Sequence, residues 1–279
     1  PEPVHRIPPG TGSGLSATLL SAAERARDWA GDGLRALILS GSHATGEAVW
    51  AEFEGRRVSL SDLDLYAVMR DEATCTKARA RSAAGRTGFA REALAWGLAA
   101  PLEVAFVTLD GLARMPARPG TVELVRSGRV LSGDHTLLAR LPPWQPAAVS
   151  AEERLLLLEN RAFELLWAVG PGGPQAPPSP AGKTNPAWDG ITALRARHAG
   201  LKTTLDLAAV RTLARGELPA DSAARVARAR ELGAPANLPS WLERAWEGLE
   251  PLWQVALAWR SGAAPVLVAD AASTEWRAA

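Results

Sequence analysis

Two aspartates separated by one residue, Asp62 and Asp64, stand at the head of the apolar run Leu63 to Met69 in the stretch SDLDLYAVM. A β-strand turns alternate side chains to the same face, so in a strand these two carboxylates address one point in space. Neighbouring carboxylates repel unless a positive charge lies between them. A divalent cation is the usual reason to build such a pair, and hard oxygen donors suit Mg2+ or Mn2+. Upstream, the apolar run Leu34 to Leu39 breaks at Ser40-Gly41-Ser42. Where a strand gives way to a turn and a helix can begin, exposed backbone N–H groups bind phosphate. A third acid, Glu103, is the only charge in the apolar segment PLEVAFV, Pro101 to Val107. An acid inside a buried strand is costly unless it is paired or bound to metal. One end of this unit is thus suited to metal and the other to phosphate. Each feature also has a plainer reading: a solvated strand head for Asp62 and Asp64, a simple turn for Gly41-Ser42, and an arginine partner for Glu103.

In combination, GSHATGE, SDLDLYAV and LEVAFV resemble the polymerase-β-type nucleotidyltransferase superfamily, in its small two-domain members such as the aminoglycoside nucleotidyltransferases. The segment GRVLSGD, Gly128 to Asp134, resembles the one that closes the core domain in many of them. The resemblance covers Leu34 to Asp134, and the helical remainder only loosely. The gap from Gly41-Ser42 to Asp62 is longer than in compact members, which predicts an inserted hairpin around Trp50 to Val58. The resemblance implies an α+β fold, with an N-terminal core of mixed β-sheet flanked by helices and a C-terminal helical bundle that closes over the cleft. It implies transfer of a nucleoside monophosphate from an NTP, ATP among the candidates, to an acceptor hydroxyl or phosphate, with release of pyrophosphate.

The same resemblance assigns Asp62, Asp64 and Glu103 to catalysis and to two Mg2+ (or Mn2+) ions, and Gly41 and Ser42 to the β- and γ-phosphates. The segment HAGLKTTLDLAAVRTLARGELP is similar to the helix that carries a triphosphate-facing lysine, which makes Lys202 the candidate, with a solvated helix face as its alternative. The general base is Glu103, or an acid of the helical domain, Glu159 or Glu164. A small-molecule acceptor is favoured. A tRNA or a protein partner of the toxin/antitoxin type is the alternative, as is a non-catalytic nucleotide-binding protein that uses the fold for association. His43, next to the Gly-Ser turn, either touches phosphate or is a capping or exposed histidine.

Composition bounds these readings. The chain has 279 residues, of which 47% are hydrophobic and 22% charged, ordinary values for a soluble globular protein. A net charge of +1 leaves no strong electrostatic footprint for a long nucleic acid. The single cysteine, Cys75, excludes an internal disulfide and a multi-cysteine zinc site and fits a cytoplasmic location. No apolar run has the length of a membrane span, and the Pro/Gly-rich leader, 1–14, carries no secretory pattern.

The elements that must position the site follow from periodicity. A helix is predicted over Ser16 to Ala30, ended by Gly31-Asp32-Gly33, then the strand Leu34 to Leu39. Strands Trp50 to Phe53 and Arg57 to Leu60 flank Glu54-Gly55 as a hairpin. Ala73 to Ala99 reads as helical with a break at Gly85 and Gly88, its firmer part Ala90 to Leu98. A short helix is expected over Thr121 to Ser127 and an extended piece at Val130-Leu131. Leu141 to Pro146 reads as a linker between a core domain, 1–140, and a helical domain, 147–262, with a tail at 263–279. Ser150 and Glu153 form a capping-box pattern, followed by an apolar face of Leu155, Leu158, Ala162, Leu165, Leu166 and Val169. The Pro/Gly-rich loop 170–186 is either a lid or disordered. Three helices complete the chain: Trp188 to Arg215, with a polar stripe of Arg195, His198, Lys202 and Asp206; Asp221 to Leu232; and Leu238 to Arg260, interrupted at Pro251. Most of the 11 tryptophans are expected in packing between helices.

Overall fold

Small residues let the first helix, α1 (Ser13–Ala30), lie close against a sheet. Its buried positions, Leu19, Ala22, Ala23, Ala26, Trp29 and Ala30, recur at the three- and four-residue spacing that lines one helical face. The structure is a computed structural model describing residues 13–53, 55–85, 89–169, 186–235 and 240–262. After α1 a 3-10 turn over Gly31–Gly33 leads into β1 (Leu34–Ser40). Then come α2 (Gly41–Thr45), β2 (Trp50–Phe53), β3 (Arg56–Ser59) and β4 (Leu63–Met69). Helices α3 (Glu72–Gly85) and α4 (Phe89–Ala95) cross over to β5 (Leu102–Thr108), followed by α5 (Leu109–Ala113), α6 (Pro119–Ser127) and β6 (Arg129–Gly133).

The four-stranded sheet has the order β5-β4-β1-β6, and β2 and β3 form a separate two-stranded ribbon. β4 and β5 are parallel, while β1 runs antiparallel to both β4 and β6, so the sheet is mixed. One face carries Leu37, Leu39, Leu63, Leu65, Ala67, Met69, Leu102 and Phe106 into a core shared with α1 and with Cys75 and Ala78 of α3. α3 starts where the Asp71 carboxylate accepts from the Thr74 N–H at 2.8 Å, satisfying one of the first-turn donors. The Arg79 and Arg81 guanidinium groups then donate to the carbonyls of Phe106 and Trp29. α5, which periodicity does not reveal in five residues, is capped by the Thr108 hydroxyl. α4 ends at Ala95, short of the expected Leu98, because the chain turns at Gly97 with a φ of +85°.

The chain divides into two units, one made of Pro1–Trp50 with Gly55–Trp144, the other of Ala51–Glu54 with Gln145–Ala279. The division at Trp144 and Gln145 falls within the Pro-rich stretch Leu141 to Pro146, part of which is packed. Leu141 and Trp144 are buried, and the Trp144 indole donates to the Met115 carbonyl at 3.1 Å.

The described residues of the second unit are mainly helical: α7 (Ala151–Val169), α8 (Pro186–Leu213), α9 (Ser222–Glu231), α10 (Ser240–Glu247) and α11 (Leu249–Arg260). α8 packs against α7, α9 and α11. The Ser150 hydroxyl accepts from the Glu153 N–H at 3.2 Å and opens α7. The apolar face read for α7 is corrected: Leu155 and Leu166 are 57% and 68% exposed. Charge turns the helix instead, because Arg161 faces α8 and pairs with Asp206 at 2.8 Å. The last predicted helix is two helices, and its break falls at Gly248 rather than Pro251. Pro251 lies in the first turn of α11, where its missing N–H would have had no helical partner. Trp253 and Trp259 of this helix are buried, and the Trp253 indole donates to the Thr204 carbonyl at 2.8 Å. The loop 170–185 and the tail 263–279 lie outside the described residues, as does residue 88 of the predicted helix break.

Truncating a fully buried leucine leaves a cavity as well as lost apolar contact. Leu65→Ala is therefore expected to lower the unfolding free energy in a urea titration by about 2–5 kcal/mol, whereas Leu166→Ala changes it by less than about 0.5 kcal/mol.

Candidate functional site

The sheet register assembles the candidate residues. Ser40, the last residue of β1, lies opposite Asp64 of β4. Asp64 in turn lies opposite Glu103 of β5. Paired residues in a sheet share a face, so Ser40, Asp64 and Glu103 form one row across three strands. That face is the one turned away from α1, because the flanking residues Leu39, Leu63, Leu65 and Leu102 enter the core. Asp62 directly precedes β4 and is half-buried like Asp64, while Ser61 and Leu63 between and beside them are buried. Tyr66 follows on the same face, opposite Ile38 and Ala105. Burial, followed by the charge of Asp64, pushes the Tyr66 phenol above its ordinary value, with Arg118 pulling the other way. The phenol therefore keeps its proton at neutral pH. Tyr66 escaped notice in the sequence although the two-residue period that pairs Asp62 with Asp64 reaches it. Arg118, far along the chain, carries no such signal.

The row ends at the turn into α2. Gly41 has a φ of +64°, a conformation that L side chains adopt only with strain. A β-carbon there would also collide with the Asp64 carboxylate. Glycine thus lets the backbone of the turn approach an acid of the row. The N–H groups of a helix's first turn have no intrahelical partner, and this turn sets Gly41 beside Asp64. Farther on, the Ser42 carbonyl accepts from the Glu47 N–H at 2.8 Å and from the Thr45 hydroxyl, which closes the short helix.

His43 is neither exposed nor a cap, a correction to the reading from sequence: its residue exposure is 7%. Its Nε2 lies 3.0 Å from the Ser59 hydroxyl and 3.3 Å from the Ser61 carbonyl. A carbonyl only accepts, so Nε2 carries the proton and Nδ1 is left as an acceptor; Nδ1 is buried without a hydrogen-bond partner. The ring meets Trp50 edge-on at 5.8 Å, and Arg57 lies over Trp50 at 5.1 Å. Burial holds the His43 pKa below its ordinary value, partly opposed by the Ser61 carbonyl and by Asp62.

Glu103 also departs from expectation. It is exposed on an edge strand, so burial does not tax its charge. Its register opposite Asp64, rather than a desolvation cost, ties it to the site. Among the described residues no group of three or more His, Cys, Asp or Glu is placed so that it could hold a metal ion. The carboxylates of Asp62, Asp64 and Glu103 are hard oxygen donors. That set fits Mg2+, which is commonly held by one or two carboxylates together with substrate phosphates rather than by an all-protein cage.

In the second unit, two sequence candidates meet each other. Lys202 Nζ lies 3.7 Å from Glu164, and Arg161 pairs with both Glu164 and Asp206. Glu159 lies on the same helix as Glu164 and is exposed. No protein-family model matches this chain, and no curated protein matches it.

Two outcomes check this geometry. Gly41→Ala adds a β-carbon at positive φ, which costs about 1–2 kcal/mol, and displaces the Asp64 carboxylate; its unfolding midpoint is expected to fall accordingly. The second is a pH dependence. The folded chain binds a proton at His43 less tightly than the unfolded chain, whose histidine has the ordinary value of 6.5. This contribution is complete above that value and is lost as the pH falls below it. Between about pH 7.5 and about pH 5, the wild type is expected to lose stability relative to His43→Gln, measured by thermal unfolding.

Proposed function

We propose that this chain is a metal-dependent nucleotidyltransferase that moves a nucleoside monophosphate from an NTP to an acceptor hydroxyl, releasing pyrophosphate. The observation that carries the reading is the register: Asp64 faces Ser40 and the Gly41 turn on one side and Glu103 on the other. Adjacent strands lie about 4.8 Å apart, so donors for a cation and donors for a phosphate stand one strand spacing from each other. The resemblance of GSHATGE, SDLDLYAV and LEVAFV to the polymerase-β-type superfamily supports the same reading.

Asp62 and Asp64 would hold Mg2+ (or Mn2+), with Glu103 completing the second position. Held there, a divalent cation would supply charge neutralisation for the triphosphate and would lower the pKa of an acceptor hydroxyl. The N–H groups of Gly41 and Ser42, with the Ser42 hydroxyl, hold the β- and γ-phosphates. Glu103, exposed and beside Asp64, accepts the proton as the acceptor oxygen bonds to the α-phosphorus. The bond from that phosphorus to the bridging oxygen breaks, and pyrophosphate leaves with the electron pair. The protonated Tyr66 phenol stands in the next row as a hydrogen-bond donor. A small-molecule acceptor accords with the net charge of +1.

The test is thermal unfolding with each of the four NTPs, with and without Mg2+, on the wild type and on Asp64→Asn. A ligand at a hundred times its Kd stabilises the folded state by about 2.7 kcal/mol. A Mg2+-dependent rise of several degrees with at least one NTP is expected, and Asp64→Asn abolishes it. An Asp64→Asn variant that responds like the wild type overturns the assignment.

A further inference from the structure

We propose that His43 is a positioning residue that fixes the distance between the phosphate-binding turn and the acid at the head of β4. The inference rests on the reading of Gly41-Ser42 and Asp62 given above. His43 belongs to α2, two residues beyond Gly41. Its Nε2–H is shared between the Ser59 hydroxyl at 3.0 Å and the Ser61 carbonyl at 3.3 Å. The Ser59 hydroxyl donates its own proton to the same Ser61 carbonyl at 3.0 Å. The Ser61 hydroxyl accepts from the Val49 N–H at 2.9 Å, and the Leu60 N–H reaches the Val49 carbonyl at 2.9 Å. Ser59 and Ser61 are both buried. The carbonyl of the peptide unit that leads into Asp62 is therefore held by two side-chain donors, and one of them comes from the turn.

Packing alone does not account for a histidine here. An apolar ring or a branched side chain would fill the space against Trp50 without burying an acceptor that finds no partner. What position 43 supplies that an apolar residue lacks is the Nε2–H. The donor is spent on the carbonyl one residue before Asp62, so it orients the backbone from which that carboxylate projects. Groups that orient ligand-bearing residues typically change affinity or activity by about 10–100-fold when removed.

Three variants of the full chain separate this role from bulk packing. His43→Leu keeps the apolar volume and removes the donor. His43→Gln keeps an N–H donor of similar reach, and Ser59→Ala removes the other donor to the Ser61 carbonyl without touching α2. The first readout, independent of any ligand, is amide hydrogen exchange across Ser59 to Leu63. Faster exchange there in His43→Leu and Ser59→Ala, restored in His43→Gln, is expected. The second is binding of inorganic tripolyphosphate with Mg2+, followed by thermal shift. His43→Leu is expected to weaken it about tenfold or more, and His43→Gln to recover most of it. Exchange and binding unchanged in His43→Leu, or lost equally in His43→Gln, would overturn the positioning role. Should His43→Leu fail to fold, Ser59→Ala carries the same comparison. A wild type that ignores tripolyphosphate and every NTP while the exchange pattern responds removes the nucleotidyltransferase reading and leaves the brace standing.

Discussion

The pairing register of β4 with its two neighbours is the constraint on which the rest of this structure depends. Side chains on a strand alternate with a period of two, so a slip of one residue exchanges the two faces. In β4 that slip would carry Leu63, Leu65, Ala67 and Met69 out of the core and drive Asp64 and Tyr66 into it. Burying a single leucine contributes roughly 1.5–3 kcal/mol, and several such side chains on β1, β4 and β5 vote for the same alignment. The acids are therefore aligned by residues that do no chemistry. Ser40, Asp64 and Glu103 form a row because Leu39, Leu65 and Leu102 must be buried.

Departures from ordinary local preference gather at one end of that row. Gly41 takes a positive φ beside a carboxylate, and His43 buries an acceptor without a partner. Asp62 and Asp64 hold charge at half-buried positions. Natural sequences agree with their folds at most positions and break the local rules where a site requires it. The opposite end of β4, from Ala67 to Met69, is buried on both faces and carries no such features.

Much of this was legible in the sequence, for reasons of periodicity. The Asp62/Asp64 pair, the break after Leu39 and the hairpin around Gly55 are local patterns, and local geometry decides them. The placement of β5 beside β4 is not local: it depends on the crossover through α3 and α4, so the register of Glu103 opposite Asp64 has no signature in LEVAFV. The same segment suggested a buried acid, because an apolar run does not say whether its strand lies in the middle of a sheet or at its edge. His43 was misjudged for a related reason. Its partners, Ser59 and Ser61, come from the far side of the β2-β3 hairpin, and only the folded chain brings them to α2. Pro251 breaks no helix, because in the first turn of α11 its missing N–H has no helical partner to lose. In α7, counting apolar residues missed the face that the Arg161–Asp206 pair turns toward α8.

The openness of the acid set bears on how such a site would work. A cage of three converging carboxylates would have to hold strongly repelling charges together before any ligand arrived. Here the acids are distributed: Asp62 before β4, Asp64 within it, and Glu103 exposed on the neighbouring edge strand. The missing ligands of a Mg2+ ion are then supplied by the phosphates it accompanies, so that cation and triphosphate complete each other's coordination. Under the proposed reading this makes binding of the two mutually dependent, and it makes the separation between the phosphate turn and Asp62 the quantity the protein must hold fixed. That separation spans the whole β2-β3 hairpin along the chain, yet His43 bridges it with one side chain. The segment between the Gly41 turn and Asp62 is tied at its root, where Ser59 and Ser61 meet the histidine and the Ser61 hydroxyl accepts from the Val49 N–H.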